Sequence, residues 1–149
     1  MQMKRLPLIV LPLLLLIIGC AHKPANVSQP TWNLVSTQDS YSNTLSALTL
    51  LRSAGTLSAD DARKVEQARI VVANVLDVYH SHPADLPSQQ EVLATLVKTI
   101  AELGMTRDVE RNKPRARPRA AEDDAAVLAA SDAFRRDAEA GWAVAIGGA

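Results

Sequence analysis

The sequence predicts an all-α protein, a small three-helix bundle with a weaker fourth helix beyond a linker rich in arginine and proline. Between residues 36 and 104, apolar residues recur at spacings of three and four in three segments, which is typical of amphipathic helices. A serine that can cap a helix precedes each segment, and a glycine or proline follows it. No alternation of apolar and polar residues is long enough to predict a strand.

Length and composition limit the alternatives. A chain of 149 residues can form one core and is too short for two sizeable ones. Its aromatic residues are two Trp, two Tyr and one Phe, so the core must come from Leu, Val, Ile and Ala. The 16 basic residues balance the 16 acidic ones. This balance argues against nucleic acid as a partner, because neutralising phosphates requires an excess of Lys and Arg.

The first twenty residues have the pattern of a secretory signal peptide. Lys4 and Arg5 precede an apolar run from Leu6 to Ile18, which is shorter than the roughly 20 residues of a membrane-spanning helix. The run ends in Ile17-Ile18-Gly19-Cys20. These four residues resemble the lipobox of bacterial lipoproteins, although that family most often has Leu where Ile17 stands.

The resemblance implies a lipid anchor. The signal peptide, residues 1–19, would be cleaved between Gly19 and Cys20, and Cys20 would carry a diacylglyceryl group and an acylated amine. In enteric-type bacteria an Asp after the cysteine retains such proteins at the inner membrane. Ala21 at that position therefore implies the outer membrane, on its periplasmic side. The alternative is an ordinary signal peptide with a chance or buried cysteine; Cys20 is the only cysteine, so an intramolecular disulfide is excluded.

The body begins after a predicted tether, residues 20–35, which contains two prolines and no helical period. Ser36-Thr37-Gln38-Asp39 has the form of a capping box and predicts the start of the first helix. Its stripe of Tyr41, Leu45, Leu48 and Leu51 ends at Gly55.

Two further capped helices complete the predicted bundle, residues 36–106. Ser58 and Asp61 start the second, which ends before Pro83, and the third runs from Ser88 to Gly104. The short link at Gly55 predicts an antiparallel hairpin whose groove the third helix fills. We expect the following residues to be buried: Leu48, Leu51, Val65, Val72, Leu76, Leu93, Leu96 and Ile100.

The composition changes at Arg107. Residues 107–119 are predicted to be an extended, solvated basic linker, because proline blocks helix formation and like charges repel. Residues 120–149 are predicted to form an alanine-rich helix followed by a flexible apolar tail. In that tail, Trp142 and Ile146 either contact a partner or cover a bare edge of the bundle.

The candidate chemistry is sparse. His80, His82 and Asp85 are weak candidates for a metal site, but three or four ligands at fixed geometry are needed and no second cluster supplies the rest. Polar side chains at this helix end could equally complement its dipole. The sequence contains no glycine-flanked serine, no phosphate-binding glycine loop and no catalytic constellation. We therefore predict no enzyme and no cofactor.

The basic linker has two interpretations. It could bind lipopolysaccharide phosphates, anionic lipid headgroups or peptidoglycan carboxylates, or it could be a solvated spacer. The basic residues concerned are Arg111, Lys113, Arg115, Arg117 and Arg119.

These observations predict a non-enzymatic, lipid-anchored protein of the cell envelope that acts as an interaction or scaffold module with an envelope protein partner. Residues 36–80, with a Tyr-x3-Leu-x2-Leu stripe, a glycine stop and a second capped helix, loosely resemble small envelope lipoproteins encoded by phages and prophages. That resemblance implies a role at the host envelope. The alternatives are a binding module for lipopolysaccharide or peptidoglycan and, less favoured, a metal carrier.

Overall fold

The computed structural model describes residues 23–115 and 123–147. Within these ranges the protein is all-helical and has no strand, which confirms the predicted fold class. A short 3-10 turn at Pro83–Asp85 separates the second and third of five α-helices. The helices are α1 (Gln29–Ser53), α2 (Ala59–His80), α3 (Gln89–Glu102), α4 (Thr106–Asn112) and α5 (Asp124–Gly147). The predicted three-helix bundle with a weaker fourth helix therefore matches only in outline.

Helix α1 begins earlier than predicted. Ser28 is its N-cap and accepts a hydrogen bond from the backbone N–H of Thr31, and Pro30 lies in the first turn, where a missing N–H costs nothing. The predicted cap, Ser36, lies inside the helix. The predicted tether, residues 20–35, thus ends at Ser28, and the helix ends as predicted before Gly55, which has a φ of 74°.

Helix α1 is the central helix and contacts each of the other four. Its buried hydroxyl groups bond to carbonyls of the preceding turn: Thr37 donates to Asn33 and Ser42 donates to Gln38, each at 2.8 Å. Such bonds satisfy a hydroxyl without any outside partner. A helix rich in Ser and Thr can therefore also be buried on faces outside its apolar stripe.

Helices α2 and α3 form as the sequence predicts. Ser58 caps α2, Ser88 and Glu91 form a capping box on α3, and Gly104 follows α3 with a φ of 68°. Of the residues expected to be buried, all are buried except Leu93, which is partly buried at the edge of the core.

The first and last helices run parallel to each other. The backbone N–H of Ser28 donates to Asp124 at 2.6 Å, and Gly141 lies beside Thr49, so α5 follows α1 from start to end. Helix α2 is antiparallel to both, because Glu66 near its start contacts Trp142 near the end of α5.

Helix α4 begins at Thr106 and continues into the predicted linker, residues 107–119, whose first part is therefore helical and not extended. One apolar side chain explains the difference, because Val109 is only 2% exposed and belongs to the main core. The charged and polar residues on both sides of it hide this helix from a search for apolar stripes.

Helix α5 continues through the region predicted to be a flexible tail, up to Gly147. Trp142 is buried within it and forms part of the core. Of the helices that the structure describes, none combines the length and the apolar character needed to cross a membrane.

Candidate functional site: polar contacts between α1, α2 and α5

A buried polar cluster joins α1 to α5. The side chain of Gln38 is fully buried, and its Nε2 donates to the Ser131 hydroxyl at 3.1 Å and to Asp132 Oδ1 at 2.7 Å. The buried Ser131 hydroxyl in turn donates to Asp39 at 2.7 Å. Two neighbouring residues of α1 thus hold two neighbouring residues of α5.

The cluster extends to α2 through a histidine. His80 Nε2 lies 2.9 Å from the second carboxylate oxygen of Asp132. Burial opposes ionisation of Asp132, but hydrogen bonds from Gln38 and His80 outweigh it and hold the pKa of this carboxyl below its usual value. The carboxylate therefore stays charged and joins three helices.

A second polar cluster lies towards the other end of α5. The Tyr41 hydroxyl donates to Glu139 at 3.0 Å, and Arg69 contacts both Glu139 and Glu66. The indole N–H of Trp142 donates to Glu66 at 2.7 Å. A buried indole needs such a partner, because an unpaired N–H in the core is costly.

The second cluster shifts the pKa values of its members in the directions expected of paired groups. The hydrogen bond from Arg69, aided by that from Trp142 and opposed by burial, lowers the pKa of Glu66. Burial raises the pKa of the Tyr41 hydroxyl, so this group stays protonated and remains a donor. Glu66 and Tyr41 therefore keep their charge states, and their contacts, at neutral pH.

These clusters are not arranged for nucleophilic catalysis. The Ser131 hydroxyl is fully buried and donates to Asp39, and His80 points its Nε2 at Asp132 rather than at a serine. General base catalysis requires the base to reach the proton that it removes from a substrate. What the arrangement does is fix the position of α5 against α1 and α2.

The predicted metal-site residues are not brought together. His80 pairs with Asp132 on α5, while His82 and Asp85 lie exposed in the turn after α2. In the part of the chain that the structure describes, no group of three or more His, Cys, Asp or Glu residues could hold a metal ion.

The predicted partner-contact residues differ in accessibility. Trp142 is 1% exposed, so its side chain packs within the chain and covers the bundle, which was the second of its two interpretations. Ile146 is partly buried and lines a shallow groove of about 460 Å³ together with Arg52 and Arg63. Its role in a partner contact stays a prediction.

The predicted basic residues fall partly within the described ranges. Arg111 is exposed on α4, Arg115 is exposed beyond it, and Lys113 pairs with Glu110 at 2.5 Å. Arg117 and Arg119 lie outside the described residues, as do Ile17, Ile18, Gly19 and Cys20 of the lipobox-like segment.

Sequence reasoning missed the residues that hold α5 in place. Gln38 was assigned to a helix cap, and Ser131 was placed on a weak apolar face, whereas both are buried donors or acceptors. One signal was available: Thr31, Gln38 and Ser42 of α1 recur at helical spacing and so share one face. If that face is buried, its polar groups need hydrogen-bond partners on another helix.

Comparison with family models, with curated proteins and with solved structures found no significant match to this chain.

Proposed function

We propose that this chain is a lipid-anchored helical module of the cell envelope that acts by binding other envelope components rather than by catalysis. The observation that carries the proposal is the order of features in the sequence: a basic start, an apolar run and Gly19-Cys20, followed after a few residues by a folded helical body. Lipidation at Cys20 would hold that body close to the membrane.

Two features of the body support a binding role. The polar clusters are occupied with interhelical contacts. In the groove beside Ile146 the carboxylate of Glu66 is paired with Arg69, and in a second shallow groove, between α2 and α3, the carboxylate of Glu102 is exposed. By contrast, α2 and α3 expose apolar side chains, among them Val78 and Val97. Exposed apolar side chains such as these can supply the apolar part of a contact with a partner.

Metabolic labelling with a palmitate analogue tests the anchor. We expect the unaltered chain to incorporate label and Cys20→Ser to lose all of it, because the serine hydroxyl cannot form the thioether. Ala21→Ser is the matched control, which introduces the same residue next to the acceptor and should leave labelling intact. Labelled Cys20→Ser would contradict the proposal.

The membrane of residence is tested by a different substitution. In an enteric-type host, the resemblance to lipoproteins implies the outer membrane, and we expect Ala21→Asp to shift the chain to the inner-membrane fraction. Ala21→Asn keeps the size of the side chain without its charge. Unchanged fractionation of Ala21→Asp would contradict the assignment to the outer membrane.

A second candidate function is binding of an anionic envelope polymer by the basic segment. The observation that favours it is the exposure of Arg107 and Arg111 on α4 and of Arg115 just beyond it. Such contacts contribute about 1 kcal/mol per charge near an anionic surface and weaken with salt.

Retention on lipopolysaccharide or peptidoglycan tests this second function. We expect salt-sensitive retention of the unaltered chain and loss of retention when Arg115, Arg117 and Arg119 become Ser. The matched control replaces three basic residues of α2 and α3 by Ser and so removes the same net charge; it should leave retention unchanged. These residues are Arg63, Lys64 and Lys98. If retention changes neither with salt concentration nor with the arginine substitutions, polymer binding by this segment is excluded.

A further inference from the structure

A shallow groove lies where the end of α1, the start of α2 and the end of α5 meet. Its volume of about 460 Å³ is within the range of small-ligand sites. Two guanidinium groups line it, those of Arg52 and Arg63, together with the apolar side chains of Ala59, Ala62 and Ile146. The groove therefore combines positive charge with an apolar wall.

The guanidinium group of Arg52 is held in place but not fully hydrogen-bonded. Its Nη1 donates to the carbonyl of Leu57 at 3.1 Å, whereas its Nε is buried and has no partner among the described residues. A buried donor without a partner is costly, and each such group in a native protein requires an explanation. That Nε is shielded from the groove, so an anion bound there would meet the other N–H groups of the guanidinium.

Arg63 can add a second positive charge to the same site. Its ion pair with Asp60 on its own helix is exposed, at 75% and 76% for the two side chains, and exposed pairs of this kind contribute little. The carboxylate of Glu66 also lines the groove, but it accepts hydrogen bonds from Arg69 and Trp142. The groove thus favours an anionic ligand.

We propose that this groove binds the C-terminal carboxylate of a partner protein whose last residue is apolar. Arg52 and Arg63 would donate to the carboxylate, whose two oxygens match the geometry of a guanidinium group. The last side chain would pack against Ile146 and the two alanines. Recognition of a chain terminus by its carboxylate is an established mode of peptide binding.

Gln67 favours a peptide over a fatty acid as the source of that carboxylate. It is exposed and lines the same groove. Its amide can both donate to and accept from a peptide group, whereas a fatty acid offers nothing beyond its carboxylate. The proposal rests on the binding role proposed above but not on the lipid anchor, because the groove is formed whether or not Cys20 is acylated.

Fluorescence anisotropy with the full chain tests the proposal. The probe is a dye-labelled peptide of sequence Gly-Ser-Gly-Ala-Leu with a free C-terminal carboxylate, and the matched ligand is the same peptide with a C-terminal amide. We expect the acid to bind about tenfold more tightly than the amide, which corresponds to 1.4 kcal/mol. Decanoate, added as a competitor, should displace the peptide less well than the unlabelled peptide acid does.

Variants of the groove locate the binding. Arg63→Gln should weaken binding of the peptide acid several-fold, while Lys98→Gln, which removes an equally exposed charge from α3, should leave binding unchanged. Arg52→Lys should also weaken binding, because lysine keeps the charge but lacks the forked guanidinium donors that match a carboxylate. Ile146→Ala should reduce the preference for Leu over Gly as the last residue of the peptide.

Arg63 and Lys98 are exposed, so their substitution should not disturb the fold. For Arg52→Lys, circular dichroism and thermal melting check that the fold is intact. Equal binding of acid and amide would overturn the proposal, as would equal effects of Arg63→Gln and Lys98→Gln. Absence of binding up to about 1 mM peptide would exclude the site. Displacement by decanoate at lower concentration than by the peptide acid would assign the groove to fatty acids. None of these results would alter lipid labelling at Cys20, so the two proposals fail separately.

Discussion

Helices α3 and α5 both pack against the hairpin of α1 and α2, but they do so with different side chains. Helix α3 contributes Val92, Leu96 and Ile100 to the core. Helix α5 contributes apolar side chains too, but its Ser131, Asp132 and Glu139 are each hydrogen-bonded to α1 or α2. The α3 interface is apolar apart from the exposed amide of Gln89, which donates to Ser36 and Ser40 of α1. The α5 interface combines apolar packing with buried polar partners.

The two interfaces differ in what they contribute to the fold: one contributes stability and the other fixes the position of a helix. Apolar contacts stabilise packing but tolerate small shifts of one helix along another, whereas a buried amide bonded to two partners fixes a single register. The polar interface is not optimal for stability, because the buried Oε1 of Gln38 finds no hydrogen-bond partner among the described residues. We interpret it as a contact that specifies where α5 lies.

The largest expected effect breaks the apolar side of this comparison. Leu96 is 1% exposed, and Leu96→Ala should lower the free energy of unfolding by about 2–5 kcal/mol, because it removes buried methyl groups and leaves a cavity. The neighbouring Val97→Ala, at a position 57% exposed, is the control and should change little. Urea unfolding measures both. Equal effects of the two changes would contradict the assignment of Leu96 to the core.

A smaller effect is expected on the polar side. Gln38→Ala should cost about 1–3 kcal/mol, because it leaves the buried groups of Ser131 and Asp132 with one partner fewer. The control on the same helix is Gln29→Ala, which removes only the exposed contact with Asn33. Hydrogen exchange should show that Gln38→Ala raises exchange mainly in α5. Uniform exchange across all helices would contradict the role assigned to this amide.

The smallest expected effect is a pH dependence that sharpens the comparison. The folded-state pKa of Asp132 lies below its usual value of 3.8, so the unfolded chain takes up the proton first as the pH falls. Its stabilising contribution is present above the unfolded-state pKa and is lost as the pH falls through the folded-state pKa.

Urea unfolding between neutral pH and about pH 3 measures this contribution. Asp132→Asn should flatten the acid limb of the stability curve, while Asp137→Asn, at an exposed position of the same helix, should leave that limb unchanged. An identical acid limb in both variants would assign the loss of stability to other carboxyl groups.

The amphipathic part of the fold was predictable and the rest was not, for reasons that particular residues show. Helices α2 and α3 each have one buried stripe and a serine cap, so pattern and structure agree. Helix α1 has such a stripe only from Tyr41 onwards, and earlier in the helix the buried hydroxyl group of Thr37 is bonded within the helix instead. The start at Ser28 was therefore missed.

Helices α4 and α5 were misjudged because small or isolated side chains make their contacts. Val109 alone ties α4 to the core, and a single valine gives no period. At Gly141 an added Cβ would stand 3.8 Å from the Thr49 methyl, which is an ordinary contact distance, so this position needs only a small residue. Small residues such as Ala138, which is buried, leave little trace in a hydrophobic pattern, so the tail was interpreted as flexible.

The parallel arrangement of α1 and α5 has a consequence for how the chain reaches its native state. The contacts that join the two helices, such as Gln38 with Ser131 and Tyr41 with Glu139, link residues 93 and 98 positions apart. Pairings so distant along the chain form slowly, because a long loop must close first. During synthesis, the face of α1 that packs against α5 stays exposed until α5 has been made. A chain truncated before α5 would keep this face of α1 exposed, and we expect it to be degraded by proteases or to aggregate.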